Sequence, residues 1–221
     1  MAPPSPQRGS SWSCGPWSSW HQLVALTLLG FAALPILGGC SFDMESMVPE
    51  KEKPPQAPQA AADSPVSPSD VSEAQGHTAR GQALAKSGQA AEALEEFNRA
   101  VTLDPYNAQA LYGRALIYQS GHHHEFAIAD FGAASGLNPQ KAEPLLGRAI
   151  SYLAIGKIKE AAADLDEASQ ADPNNAQIWT TRGLAYERLA DKAKAAESYT
   201  KAVALRPNDI SARNGLARVG G

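Results

Sequence analysis

The chain has 221 residues, with 19 Lys and Arg against 23 Asp and Glu, giving a formal charge of -4. No basic block of five or more residues occurs, which argues against nucleic acid as a partner and leaves the domain little attraction to an anionic membrane surface. The two cysteines, Cys14 and Cys40, both precede residue 70, so the region beyond has neither a disulfide framework nor a cysteine metal site.

Proline usage divides the chain near residue 70. Eleven of the 16 prolines lie at or before Pro68, and the other five are Pro105, Pro139, Pro144, Pro173 and Pro207. The first part is rich in Pro, Ser and Gly and the second in Ala, Leu and charged residues, the pattern of a linker followed by a helical domain.

In the amino-terminal part, residues 23–39 read LVALTLLGFAALPILGG, an apolar run of 17. A membrane-spanning helix needs about 20 such residues, and Pro35 weakens this one further, so a secretory signal fits better. The LGGC of residues 37–40 resembles the lipobox of bacterial lipoproteins, in which a branched apolar residue and two small ones precede an obligatory cysteine. That resemblance implies that residues 1–39 are a lipoprotein signal peptide and that Cys40 is lipidated, anchoring the chain to the membrane on the periplasmic side of the cell envelope. Ser41, where an Asp would imply retention, implies the outer membrane. Several acyl chains are needed for firm anchoring, because each buried methylene contributes only about 0.8 kcal/mol. The leader ahead of the run carries Arg8 as its one fixed cation, a departure that keeps an uncleaved signal anchor, or a start further in, as alternatives. Residues 40–69 contain six prolines and little that could form a core, and are expected to be a disordered Pro-rich tether.

Beyond the tether the chain is periodic. Pro105, Pro139, Pro173 and Pro207 are 34 residues apart, and in the same register Ala93, Ala127, Ala161 and Ala195 form one column. Ala100, Ala134, Ala168 and Ala202 form a second, Phe97, Phe131, Leu165 and Tyr199 a third, Leu84, Tyr118, Tyr152 and Tyr186 a fourth, and Gly81, Ala115, Ala149 and Gly183 a fifth. Small residues let helices approach, aromatics fill the adjoining space, and proline stops each second helix.

These columns resemble the tetratricopeptide repeat family, with four repeats at 74–107, 108–141, 142–175 and 176–209. The resemblance implies an all-α, right-handed alpha-solenoid of helix-turn-helix repeats spanning residues 70–209, with residues 210–221 as a capping helix whose Ile210 and Leu216 face the last repeat. Asp70 is expected to cap the first helix, with Glu73 completing a capping box. Arg80, Arg114 and Arg148 each have an acid 16 residues on, at Glu96, Asp130 and Asp164, and are expected to pair within their repeats. Arg182 meets Ser198 instead and is expected to lack an acidic partner.

No phosphate loop, GxSxG or HExxH motif occurs in the domain, so neither an enzyme nor a cofactor is expected. In the resembled family the first helices of successive repeats line a concave groove. Helical periodicity then places Tyr112, Leu116, Leu146, Ile150, Leu153 and Leu184 on that face, an apolar strip opened by Gly113 and Gly147. The expected partner is a protein or peptide with an apolar segment. The chain's own tether, or a second copy in a homodimer, is the alternative cover. The readings are therefore a lipid-anchored scaffold, an assembly factor of an envelope machine such as those of pilus or cell-wall synthesis, or a metal-binding or enzymatic protein using His122, His123 and His124. The register puts those histidines in a helix-helix turn, where adjacent ligands converge poorly on one metal, with His124 packed against the turn and His122 and His123 solvated.

Overall fold

A computed structural model describes residues 66–220. The signal peptide, Cys40 and nearly all of the expected tether lie outside the described residues. Among the described residues there are nine helices and no strand: α1 (Pro68–Lys86), α2 (Ala90–Leu103), α3 (Ala108–Ser120), α4 (His124–Leu137), α5 (Ala142–Ala154), α6 (Ile158–Ala171), α7 (Ala176–Arg188), α8 (Lys192–Leu205) and α9 (Ile210–Val219). None is long and apolar enough to cross a membrane.

Local chemistry sets the helix ends. Helix α1 starts earlier than expected, because Ser67 is its cap and Asp70 is the third helical residue that reaches back to the Ser67 N–H. The capping box exists, but as Ser67 with Asp70 rather than Asp70 with Glu73. Asn107, Asn175, Asp191 and Asp209 cap α3, α7, α8 and α9 with their side-chain oxygens. Between the two helices of each repeat the chain turns through one residue with positive φ: Gly88 at 80°, His122 at 62°, Gly156 at 79° and Ala190 at 61°. The next N–H bonds back to the carbonyl five residues earlier, at 3.0 Å from Gln89 to Leu84 and 2.9 Å from His123 to Tyr118. This is the left-handed helix ending that glycine adopts without penalty.

Each helix packs on its chain neighbours, and the odd-numbered helices also touch one another in sequence, α1 on α3, α3 on α5, α5 on α7 and α7 on α9. No even-numbered helix touches another even-numbered one. The odd helices therefore form the tighter, inner layer, and the repeats stack as an alpha-solenoid with a concave face on that side.

Side-chain size sets the spacing of the layers. The alanine columns are buried, and Phe97, Phe131, Leu165 and Tyr199 are almost wholly so. Each such side chain contributes about 1.5–3 kcal/mol of burial. Phe97 lies between Gly81 and Gly113, and Tyr199 between Gly183 and Gly215. A Cβ on Gly113 would come within 2.5 Å of the Phe97 ring, and one on Gly147 within 2.5 Å of Phe131. These two glycines are thus seats for aromatics of the preceding repeat, not openings in the groove. In α9, Ala212, Gly215 and Val219 face the last repeat and Leu216 is half-buried. Ile210 is 65 % exposed, so it does not take the inward place expected of it.

Candidate partner-binding groove

The first two repeats and the start of the third enclose a concave pocket of about 680 Å³. Helix α1 contributes Gln75, Thr78 and Gln82, and α3 contributes Gln109 and Tyr112. The loops between repeats add Tyr106, Asn107 and Lys141, and α5 adds Glu143 and Pro144. One residue holds the wall in place: Asn107 caps α3 through its oxygen, 3.0 Å from the Ala110 N–H, while its amide donates to the Thr78 hydroxyl at 3.2 Å. Thr78 in turn donates to the Ala74 carbonyl at 2.8 Å. Tyr106, by contrast, stands 62 % exposed at the rim. Burial, reinforced by Glu143, pushes the Tyr112 hydroxyl above its ordinary pKa, so Tyr112 presents a neutral O–H.

The six expected groove residues are not one open strip. Leu146 is 8 % and Leu153 7 % exposed, both part of the core. Ile150 and Leu184 are half-buried and pack on that same core. Tyr112 leans on Phe131 with ring centroids 5.7 Å apart, and Leu116, at 41 %, is the one member that is openly exposed. Polar side chains have taken the cover. Gln119 spans from α3 to donate to the Gly147 carbonyl at 2.8 Å and Ser151 at 2.7 Å, and Arg188 donates to the Leu153 carbonyl at 3.0 Å. The accessible concavity is therefore polar and lies over repeats one to three, rather than apolar over repeats two to four.

A second, smaller concavity lies at the far end, where Thr180, Leu184, Ser211, Asn214 and Arg218 meet. There Arg218 grips Glu187 at 2.7 and 2.9 Å, and the buried Tyr199 donates its hydroxyl to the same carboxylate at 2.7 Å. The Arg218 bonds first, then the Tyr199 bond, hold Glu187 down to a pKa of about 2.

The arginine column is committed to structure. Arg114 and Arg148 make bidentate pairs with Asp130 and Asp164 at 2.6–2.8 Å, and Arg80 bonds Glu96 at 2.8 Å. Arg182 also has an acidic partner, Asp166, which precedes it by 16 residues. This corrects the expectation that it lacks one: the acid lies on the second helix of the preceding repeat, not on that of its own repeat.

The histidine turn follows the expected burial: His122 and His123 are exposed and His124 is half-buried, its Nδ1 shielded and its ring 5.9 Å from that of His122. His122 supplies the positive φ, and the exposed His123 ring also lies along Phe126 at 6.0 Å and edge-on to Tyr118 at 6.5 Å. Among the described residues no group of three or more His, Cys, Asp or Glu is placed to hold a metal ion.

A polar, preformed concavity inside a stack of helix pairs defines a helical-repeat scaffold. Tetratricopeptide repeat models match residues 81–121 and 146–210. Comparison with curated proteins gives no match. Among solved structures, MamA of Desulfovibrio magneticus superposes with a TM-score of 0.62 at 22 % identity, over 67 % of this chain and 84 % of that one. PilF of Pseudomonas aeruginosa gives 0.61 at 21 %, over 68 % and 69 %. The first TPR of Spaghetti, bound to an HSP90 peptide, gives 0.53 at 24 %, over 54 % and 95 %. At these identities the likeness speaks to fold.

Proposed function

We propose that this protein is a lipid-anchored, non-enzymatic scaffold of the bacterial cell envelope, which holds a partner protein or peptide on the concave face of its repeats. The observation that carries the reading is the pocket of about 680 Å³, whose wall is fixed by the Thr78 and Asn107 hydrogen bonds before any partner arrives. A wall fixed in advance lowers the ordering cost of binding. Its amide-rich lining suits the backbone of an extended segment, while among the described residues no titratable groups converge in the pocket as a reaction would need. The peptide bound to the Spaghetti repeat domain supports the same use of this fold.

The anchor rests on the LGGC of residues 37–40. With a lipid on Cys40, the residues from 41 to 65 would link the repeats to the membrane surface. Two measurements test the two halves separately. Replacing Cys40 with Ala should abolish fatty-acid labelling and release the protein from membranes; labelling that persists contradicts the anchor. Replacing Gln82 and Gln109 together with Arg should abolish recovery of the partner while the melting temperature stays within a few degrees. Unchanged recovery contradicts the groove.

A further inference from the structure

The lining of the pocket specifies the kind of segment it accepts. Tyr106 and Tyr112 offer two aromatic rings, and Gln75, Gln82 and Gln109 offer neutral amides. No arginine lines it, and Lys141, its one cation, is offset by Asp104 and Glu143. A terminal carboxylate or a phosphate therefore finds no clamp there. Aromatic rings beside amide donors instead suit a polyproline II strand, which presents flat pyrrolidine faces and has no internal hydrogen bonds to satisfy its carbonyls.

A segment of that chemistry lies in the same chain, directly before α1. Residues 50–65 read EKEKPPQAPQAAADSP, in which Pro55 and Pro58 are three apart. Three residues make one turn of a polyproline II helix, so both rings share a face. The residues between are Gln56 and Ala57, neutral and small, and the preceding Glu50, Lys51, Glu52 and Lys53 sum to zero charge. Residues 50–62 are mixed in sign and neutral overall, and they meet a lining that carries one cation and two acids.

Reach is sufficient. Helix α1 begins at Pro68, so Gln75 and Gln82 lie roughly 10 and 21 Å along it at 1.5 Å per residue. The ten residues from Pro58 to Pro68 extend up to about 31 Å at 3.1 Å each. The chain can thus turn back beside α1 and lay Pro55 and Pro58 against the tyrosines. Connection at this distance gives an effective concentration on the order of millimolar, enough for a weak contact to be occupied.

We propose that the pocket formed by α1, α3 and the loop residue Tyr106 is occupied in the resting protein by the chain's own proline segment around Pro55 and Pro58, which a partner must displace. This rests on the reading of the concave face as the binding surface and goes beyond it by naming the resident ligand.

The test places a photo-reactive benzoylphenylalanine at Tyr106 in the full chain, purified in detergent, and maps adducts by fragment mass spectrometry. The expected adduct is within one chain, falls in residues 50–65, and has the same yield after tenfold dilution. Replacing Pro55 and Pro58 with Ala should lower that yield at least fivefold with melting unchanged. Absence of any adduct in residues 50–65 overturns the proposal, as does an adduct that joins two copies and fades on dilution, or a yield unmoved by the proline replacements. The same probe in living cells separates this idea from the scaffold reading. An intrachain adduct without any partner adduct sinks the scaffold and leaves the latch; a partner adduct with no intrachain adduct in the purified protein does the reverse.

Discussion

Arg182 on α7 donates to Asp166 of α6 at 2.7 Å and to Ser198 of α8 at 2.6 Å, so one guanidinium ties the second helices of two successive repeats. Arg114 does the same work with Asp130 ahead of it and Asn98 behind, the latter at 3.0 Å. Even-numbered helices do not touch each other, so these guanidinium bridges, passing between helix pairs, are direct polar links across that gap. Asp166 also accepts from the Tyr186 hydroxyl at 2.7 Å. Replacing Asp166 with Ala leaves Arg182 and Tyr186 without that acceptor and should cost about 1–3 kcal/mol, read from the urea midpoint. A double-mutant cycle with Arg182→Met should show coupling. Independent effects would mean that the bridge contributes nothing.

The aromatic seats explain a substitution pattern within the chain. Sixteen residues after Phe97, Phe131 and Tyr199 come Gly113, Gly147 and Gly215, but 16 after Leu165 comes Thr181. The repeat with the smaller core residue is the one whose next helix carries a side chain at the seat. Replacing Gly147 with Ala should therefore overpack Phe131 and cost about 1–3 kcal/mol, whereas replacing Thr181 with Ala should cost under about 1. Thermal or urea melting of both variants checks the contrast.

Much of the fold was legible because the proline, alanine and aromatic columns repeat at one period, and a period survives without any knowledge of neighbours. Leu146 and Leu153 were misplaced because helical periodicity describes one helix against its partner. In a stack, a first helix also meets the first helices on either side, and Gln119 and Arg188 come from those neighbours to cover it. The seat glycines were visible as a 16-residue offset, yet a glycine on the outer face reads equally as an opening. The partner of Arg182 was missed because it lies in the preceding repeat. Pocket polarity comes from Gln75, Thr78, Gln82 and Gln109 on the helices as well as from the loop residues Tyr106, Asn107 and Lys141; Asn107 shares a 34-residue column with Asn175 and Asp209, but that column reads as helix caps rather than as a lining.

The turn residues are not optimal everywhere. His122 and Ala190 hold φ of 62° and 61°, where the other two turns use glycine. A side chain in that conformation costs about 1–2 kcal/mol. Replacing Ala190 with Gly should thus raise stability by about 0.5–1 kcal/mol once the entropy of the unfolded glycine is subtracted. A lower melting temperature would show that the Ala190 side chain has a role beyond the turn.

Acid should weaken the carboxy-terminal cap. Glu187 titrates at about 2 in the folded protein against an ordinary 4.5, so between those values the unfolded chain binds more protons. Its contribution is complete above about pH 4.5 and disappears as pH falls through about 2. Replacing Glu187 with Gln should flatten the stability profile in that window and leave the slope above pH 5 unchanged. An equally steep profile in the variant would remove Glu187 from the account.

The central claim is that a partner protein occupies the concave face. A photo-reactive residue at Gln109, inside the pocket, is compared in cells with one at Glu167, exposed on α6. One discrete adduct is expected from Gln109, chased by excess unlabelled partner, and none from Glu167; equal adduct patterns from both positions, or none from Gln109, would contradict partner binding at the concave face.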